Sequence, residues 1–456
     1  MPVPVDLTAP LRAHVVGIGG AGMSAIATVL AAMGHTVTGS DLKDSPPLTR
    51  LRALGIGIFV GHSAGNVGEV DLLTFSTAVP ATNPEVVAAR GRGIPVLRRS
   101  EVLAAIAATR RTVAVAGTHG KTTTSSMLAL VMSGAGLRPS FVIGGELNEI
   151  GTGAVWDEGE WLVVEADESD GTFLELAPEA AVVTSVEPDH LDHYSGFDGL
   201  VSSFARFVEA TPGAKVVCAD DPAALALAGA TGALTYGTSE SADYRMVDVV
   251  RARNQVRFLV EREGVDLGEI VLPVPGLHNA RNACAALVTG LLLGASFAAG
   301  ARALAGYGGV ARRFQFRGER NGVTFVDDYA HLPAEVEAAL AAARDGSWRR
   351  VVCVFQPHRF SRTEAIGPDF ASSFSAADVL VVTDVYPAGE APRPGVSGKT
   401  VVDAVLQAHP SARVAYLPRR QDCAPYLERV LRPGDLCLTL GAGDLTLLPD
   451  EVFRGA

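Results

Sequence analysis

This chain of 456 residues has no CxxC pair, and its five cysteines, Cys218, Cys284, Cys353, Cys423 and Cys437, are scattered and odd in number. That speaks against a disulfide framework and a cysteine metal site, and fits free thiols in a reducing compartment. There is no long basic run, and the net charge is −12. Nonspecific nucleic-acid binding is therefore disfavoured, although local anion sites are not. No cationic segment precedes a clean apolar core with a small-residue cleavage site. Two charge-free stretches imitate membrane spans. Val15 to Gly34 is glycine-rich and includes a turn, and Ala283 to Gly300 is interrupted by Thr289, Gly290, Gly294 and Ser296. Both are expected as buried helices of a cytoplasmic protein with no membrane insertion. The length suggests about three domains.

Against these absences stands one organising stretch, Val113 to Ser125, VAVAGTHGKTTTS. It reads as a buried strand, a glycine turn and a helix start. Gly117 and Gly120 bracket a turn in which glycine lets the backbone wrap closely around a ligand. Thr118 and His119 lie between them, and Lys121, Thr122 and Thr123 follow. Helix N-terminal amides with an added lysine charge hold nucleotide phosphates, and the hydroxyl after the lysine can hold Mg²⁺. The match is to a shortened loop, because the glycine expected five places before Gly120 is Val115. The competing explanation is a plain glycine turn with an exposed lysine.

Upstream, Ala13 to Ile18 reads as a strand running into Gly17-x-Gly19-x-x-Gly22, then a helix from Met23 to about Met33. A second strand, His35 to Gly39, ends at Ser40-Asp41. This is a dinucleotide-type βαβ unit, open to three explanations: NAD(P) binding, a packing turn, or the phosphates of another nucleotide. Asp71 to Ser76 is a further strand, Arg98 and Glu101 lie near the domain exit, and the boundary falls near Thr109 to Arg111. Beyond the phosphate loop, Trp161 to Glu165 is an apolar strand ending in an acid suited to Mg²⁺. For the rest of its cluster, Ala166 to Asp170, the plainer alternative is a solvated loop. Ala181 to Val186 leads to His190, either a ligand or a structural histidine. Lys215 to Cys218 is another strand. Met246–Ala252, Gln255–Glu261 and Leu267–Val274 suggest an antiparallel meander. Asn279 and Asn282 share a helix face, and Asn279 either caps that helix or reads a base edge.

Gly306 to Gly309 reads as a hinge, followed by Arg312-Arg313-Phe314. Gly322–Val326, Val351–Phe355, Val379–Thr383 and Leu436–Leu440 then each deliver a polar loop. That is the pattern of a parallel sheet with ligands at its strand ends. His358, Arg359 and Arg362 after one strand suit an anionic substrate better than surface solvation.

Together GIGGAGMSAIA, SD, GTHGKTTT, EADESD, DHLDHY, GLHNARNA, RRF, DDYAH and FQPHRFSRT resemble the Mur ligase family, the ATP-dependent amide-forming enzymes of peptidoglycan synthesis. The resemblance implies three α/β domains: a Rossmann-like UDP-sugar domain (1–110), a P-loop-type ATPase domain with an added antiparallel β segment (111–310), and a Rossmann-like domain that closes on substrate (311–456). It implies UDP rather than a nicotinamide at Gly17, Gly19, Gly20 and Gly22, with Ser40, Asp41 and Ser76 nearby. It implies ATP at Gly117, Thr118, His119, Gly120, Lys121, Thr122 and Thr123, with Asn279 at the adenine, Arg313 at the terminal phosphate, and Asp328 and His331 beside them. Mg²⁺ would meet Thr122, Glu165 and His190, and His358, Arg359 and Arg362 would reach the sugar substrate. The catalytic group would be Lys121, Glu165, His190 and Arg313. The implied reaction activates the lactyl carboxylate of UDP-N-acetylmuramate as an acyl phosphate, which the amine of L-alanine then attacks, with ADP and phosphate released. The implied protein is a monomer or weak homodimer.

Two departures stand out. Many relatives carry a second histidine where this chain has Leu332, and several Mur ligases carry a carbamylated lysine where it has Ala205. Within the family the alternative is a recycling ligase that attaches a tripeptide, which typically carries Cys-Gly-Thr in place of Gly19-Gly20-Ala21. Outside it, an NAD(P)-dependent oxidoreductase leaves Lys121, Glu165 and His190 unexplained. A non-enzymatic nucleotide switch leaves the cluster at 358–362 unexplained.

Overall fold

The computed structural model describes residues 5–76, 78–148, 150–169, 171–189 and 193–454. It contains three sheets of five, ten and six strands. Two compact units are distinguished: Met1–Asp248 with Phe258–Ile270 and Arg281–Tyr307, and Val249–Arg257 with Val271–Ala280 and Gly308–Ala456.

In the first unit, strand Arg12–Val16 lies between Thr36–Asp41 and Leu72–Phe75, with all pairings parallel. The edges are Gly57–Val60 and Val96–Arg98. This is the doubly wound order, whose crevice opens where the strand order reverses, at the end of Arg12–Val16. Two local expectations need correcting. The first helix starts at Ala21, so Gly22 lies in its first turn. The second strand is Thr36–Asp41, so it takes in Ser40 and Asp41 beyond the expected Gly39. Parallel pairing to Gly57–Val60 carries the ladder to that point.

In the second sheet, Arg111–Ala116 pairs in parallel with Trp161–Glu165 on one side and Ala180–Val183 on the other. The carboxyl end of the phosphate-loop strand is thus flanked by Glu165 and Thr184. Trp161–Glu165 and Lys215–Cys218 have the expected limits. The expected meander is present as Tyr244–Ala252, Gln255–Arg262 and Val265–Leu272. Its two-residue connections require antiparallel returns. Among the described residues no helix is long and apolar enough to cross a membrane. The stretch from Ala283 to Gly300 instead forms the later part of helix Leu277–Leu292 and the start of Phe297–Ala305. All five cysteines are free and buried.

In the second unit the strand order is Gln315–Arg320, Val323–Asp328, Asp435–Leu440, Arg350–Phe355, Val379–Val382 and Val414–Tyr416. Only the first pairing is antiparallel. Val351, Cys353 and Phe355 enter one core and Val352 and Val354 the other. This is the period-two signature of a sheet covered on both faces. Two strands of this sheet went unforeseen, Gln315–Arg320 and Val414–Tyr416. The former is a polar edge strand, with Phe316 64% exposed, and has no apolar run to announce it.

Candidate active site

The turn after Arg111–Ala116 depends on two glycines. Gly117 has φ +133° and Gly120 φ +80°. A Cβ at Gly117 would collide with the Thr184 hydroxyl, and one at Gly120 would lie 2.6 Å from Asn282 Oδ1. The loop is tied to the end of the neighbouring strand. Thr118 N–H donates to the Ser185 carbonyl (2.9 Å), and Glu187 N–H donates to the Thr118 hydroxyl (2.9 Å). His119 N–H donates to Ser185 Oγ (3.0 Å), and Thr184 Oγ1 donates to the His119 carbonyl. Helix Lys121–Gly134 starts immediately afterwards, with Thr122 and Thr123 buried in its first turn. The result is a backbone cradle at a helix N-terminus, which suits phosphate.

Lys121 Nζ donates to the Gly117 carbonyl (2.7 Å) and to both oxygens of Glu168 (2.9 and 2.7 Å). The solvated-loop alternative for residues 166–170 is wrong for Glu168, which is 1% exposed. Burying a carboxylate is tolerable here because the lysine supplies its counter-charge. Burial pushes the Glu168 carboxyl above its ordinary value, against the pull of Lys121. Burial acts to lower Lys121, yet Glu168, Asp167 and Glu165 hold it above its ordinary value.

The Thr122 hydroxyl lies 3.0 Å from each Glu165 oxygen, and Gly144 N–H donates to Oε2 (2.8 Å). Adjacent oxygen ligands of octahedral Mg²⁺ stand about 2.9 Å apart, so this pair fits one edge of such an ion. His190, the third expected ligand, lies outside the described residues. Among the described residues no group of three or more His, Cys, Asp or Glu is arranged to hold a metal.

The first glycine turn is also stitched in place. Gly17 N–H and Ile18 N–H both donate to the Ser40 carbonyl (2.8 and 3.0 Å), and Gly19 N–H donates to Asp41 Oδ2 (2.8 Å). Gly17 has φ +75°, and a Cβ there would lie 3.2 Å from that of Ser76. The structure therefore brings Gly17, Gly19, Gly20, Gly22, Asp41 and Ser76 together. Ser40, expected near this turn, is there through its carbonyl, and its side chain points elsewhere. It is fully buried and donates to Glu85 Oε2 (2.5 Å), so it faces inward, and only its carbonyl supports the turn. Glu85, also fully buried, further accepts from Asn66 Nδ2 (2.5 Å) and Ser63 N–H (3.2 Å).

In the second unit, Asp328 accepts from Phe314 N–H and Ala330 N–H, each at 2.7 Å. Burial pushes its carboxyl up to about 6. The Arg312 and Arg313 guanidinium groups stand 4.8 and 5.2 Å from the Tyr329 ring centre. His331 N–H donates to Glu335 Oε2 (2.9 Å), and its ring meets His358 edge-on at 5.7 Å. His358 stacks on Tyr386 and lies 3.3 Å from Arg362 Nη1. Burial first, then His331, Arg362 and Arg359, push His358 down to about 3. Arg359, with φ +67°, immediately precedes helix Phe360–Ile366. His331, His358, Arg359 and Arg362 thus form a cluster of two guanidinium groups and two imidazoles, with Glu335 on His331 and Glu390 facing His358 and Arg359. Asn279 donates its side-chain amide to the Pro275 carbonyl (2.7 Å), which fixes it near the helix start.

Three family models match consecutive stretches: "Mur ligase family, catalytic domain" over 12–111, "Mur ligase middle domain" over 115–290, and "Mur ligase, glutamate ligase domain" over 312–443. The chain belongs to the Mur ligase family. This Mur ligase is 46% identical over 454 residues to a UDP-N-acetylmuramate–L-alanine ligase of a Bradyrhizobium species, covering 96% of the chain and 97% of that protein. It is 48% identical over 439 residues to one from Solidesulfovibrio magneticus, covering 95% and 96%. Among solved structures it resembles a UDP-N-acetylmuramate–alanine ligase from Thermotoga maritima, with a TM-score of 0.83, 31% identity, and 98% and 99% of the two chains covered. A murein peptide ligase from Psychrobacter arcticus shares the fold at 23% identity, with a TM-score of 0.71 and coverage of 97% and 98%.

Proposed function

We propose that this Mur ligase joins L-alanine to the lactyl carboxylate of UDP-N-acetylmuramate at the expense of ATP. The observation that carries this is the glycine cradle of Gly117 and Gly120 with Lys121 inside it and the Thr122–Glu165 pair beside it. The relatives at 46–48% identity carry the name of that ligase, which supports the choice of substrates. The first glycine turn takes the UDP diphosphate. Its acid, Asp41, is engaged with the Gly19 amide.

A carboxylate does not condense with an amine directly, because its oxygen is a poor leaving group. In the proposed reaction the lactyl oxygen attacks the terminal phosphorus of ATP, the bond to ADP breaks, and an acyl phosphate forms. Alanine's amine then adds to the acyl carbon, and phosphate leaves from the tetrahedral intermediate. The loop amides and the Lys121 ammonium hold the phosphates and spread charge as it develops. Mg²⁺ held by Thr122 and Glu165 would neutralise phosphate oxygens. In the second unit, the cationic cluster of Arg359 and Arg362 around two histidines, His331 and His358, supplies a seat for an anionic substrate group. Buried free thiols and nucleotide substrates fit a cytoplasmic enzyme.

The test is phosphate release in a mixture of ATP, Mg²⁺ and UDP-N-acetylmuramate, with and without each of several amino acids. Release that requires the nucleotide sugar and is fastest with L-alanine is expected, and Lys121→Ala should abolish it while remaining folded. Ligation that needs a tripeptide instead of alanine would move the chain to the recycling branch. Turnover of a nicotinamide with no ATP requirement would overturn the proposal.

A further inference from the structure

Consecutive carboxylates in the loop after Trp161–Glu165 serve two different cations. Glu168 takes Lys121 at 2.7 and 2.9 Å, and Asp167 Oδ2 takes Arg99 Nη2 at 3.3 Å. We propose that Arg99 is a diphosphate-binding residue of the first glycine turn, and that Asp167 and Glu168 position the cations of the two anion sites. This rests on the ligase reading and adds residues to its sites.

Arg99 is the first residue of helix Arg99–Ala107. Its guanidinium lies over the other glycine-rich helix start. Nη1 is 3.1 Å from where a Cβ at Gly22 would stand, and Cδ is at 3.3 Å. A Cβ at 22 would force the Arg99 side chain to give way by a few tenths of an ångström. Glycine therefore lets a fixed positive charge and the amides of helix Ala21–Ala32 face the same anion. Arginine carries five N–H donors, and among the described residues only Nη2 is engaged, with the side chain 32% exposed. The remaining donors can serve a diphosphate while Nη2 keeps the group in place.

The loop is built to hold its two carboxylates apart. Asp167 Oδ1 accepts from Ser169 N–H (3.0 Å), which leaves Oδ2 for Arg99. The Glu168 carbonyl accepts from Gly171 N–H (3.0 Å) and from the Tyr194 hydroxyl. With its backbone fixed, Glu168 directs its buried carboxylate at Lys121, which also reaches the Gly117 carbonyl. Adjacent residues of one loop thus set one cation in each glycine turn.

The experiment compares Arg99→Gln and Glu168→Gln in the full chain, measuring kcat, the KM for each nucleotide, and the direct binding of UDP-N-acetylmuramate and of ATP by calorimetry. Arg99→Gln is expected to weaken UDP-N-acetylmuramate about tenfold and to change ATP by no more than about twofold, the split of a site-specific contact. Glu168→Gln is expected to lower kcat/KM for ATP about tenfold with the nucleotide-sugar constant unchanged within about twofold. Arg99→Lys, which keeps the charge, should recover part of the loss. Asp167→Asn should weaken the nucleotide sugar in the wild-type background but add little to Arg99→Gln, because the two act through one contact. Equal losses for both nucleotides in both variants would overturn the inference, as would full kcat with tighter ATP in Glu168→Gln. A wild-type protein that binds both nucleotides without ligating them would sink the ligase reading, and the binding constants would still decide the roles of Arg99 and Glu168.

Discussion

Thr122 and Glu165 meet across the gap between two adjacent parallel strands, the hydroxyl 3.0 Å from both carboxylate oxygens. Helix Lys121–Gly134 presents the first residue and strand Trp161–Glu165 ends on the second. As an edge of a Mg²⁺ site, the pair needs an oxygen at position 122 and no particular methyl group. Thr122→Ser should therefore keep the metal requirement. Thr122→Val has nearly the same shape, should fold normally, and should lose on the order of a hundredfold in phosphate release, the scale of a lost metal contact to a transferring phosphoryl group. A Mg²⁺ titration of both variants checks this, and a wild-type titration curve for Thr122→Val would remove the pair from the metal site.

Gly120 carries two constraints that can be separated. Its φ of +80° disfavours any side chain, and its Cβ position lies 2.6 Å from Asn282 Oδ1. Alanine in the left-handed region costs about 1–2 kcal/mol, and displacement of Asn282 adds to that. Gly120→Ala should lower the melting temperature and weaken ATP. Adding Asn282→Ala removes the collision but leaves the backbone strain, so the double variant should recover stability only in part. Melting curves with and without ATP measure both effects. Full recovery would show that the turn conformation imposes no cost of its own.

These two sites show what can be read in a sequence and what cannot. Gly117, Gly120, Lys121, Thr122 and Glu165 are legible because backbone freedom, a cation and a hydroxyl occur in fixed order on a strand–turn–helix pattern. Glu168 is not, because an acid in EADESD looks like any solvated carboxylate until its partner Lys121 is placed. Arg99 escapes for a related reason: its significance lies in its approach to Gly22, far away in sequence. Ser40 misleads in the opposite direction. A polar residue at a strand end suggests a ligand contact, but its hydroxyl points into the domain at Glu85. The apolar strands of the third sheet are visible as runs, whereas Gln315–Arg320 is polar and held by antiparallel pairing to Val323–Asp328.

Glu85 makes the first sheet's domain sensitive to acid. Burial acts to raise its carboxyl, but the His14 ring 3.8 Å away and hydrogen bonds from Ser40, Asn66 and the Ser63 amide bring it down to about 2 from 4.5. A carboxyl lowered by folding contributes its full stabilisation above the unfolded value, and loses it as pH falls from about 4.5 towards 2. The linkage is on the order of 3 kcal/mol. Glu85→Gln should be less stable than the wild type near neutrality, and the difference should shrink as pH falls through that window. Urea unfolding between pH 7 and pH 3 measures it. A difference that does not vary with pH would show that the stabilisation comes from packing rather than charge.

Asp41 offers a way to separate the two proposed nucleotide sites. Its Oδ2 accepts from Gly19 N–H and its Oδ1 from Leu42 N–H, both at 2.8 Å. In dinucleotide enzymes an acid at the end of this strand serves a ribose. Here one oxygen is occupied by the first glycine turn itself, so the side chain braces that turn, the proposed seat of the diphosphate. Asp41→Ala removes the brace and should raise the KM for UDP-N-acetylmuramate by about tenfold, the scale of a lost charge-assisted hydrogen bond. The turn at Gly117 to Gly120, proposed to hold ATP, is tied to Ser185 and Glu187 and does not use Asp41, so the KM for ATP should stay close to wild type. Asp41→Asn keeps an acceptor for Gly19 and should lie between the two. Steady-state kinetics with each nucleotide varied in turn decides the matter: equal increases in both constants would mean that Asp41 supports the whole unit and not one turn.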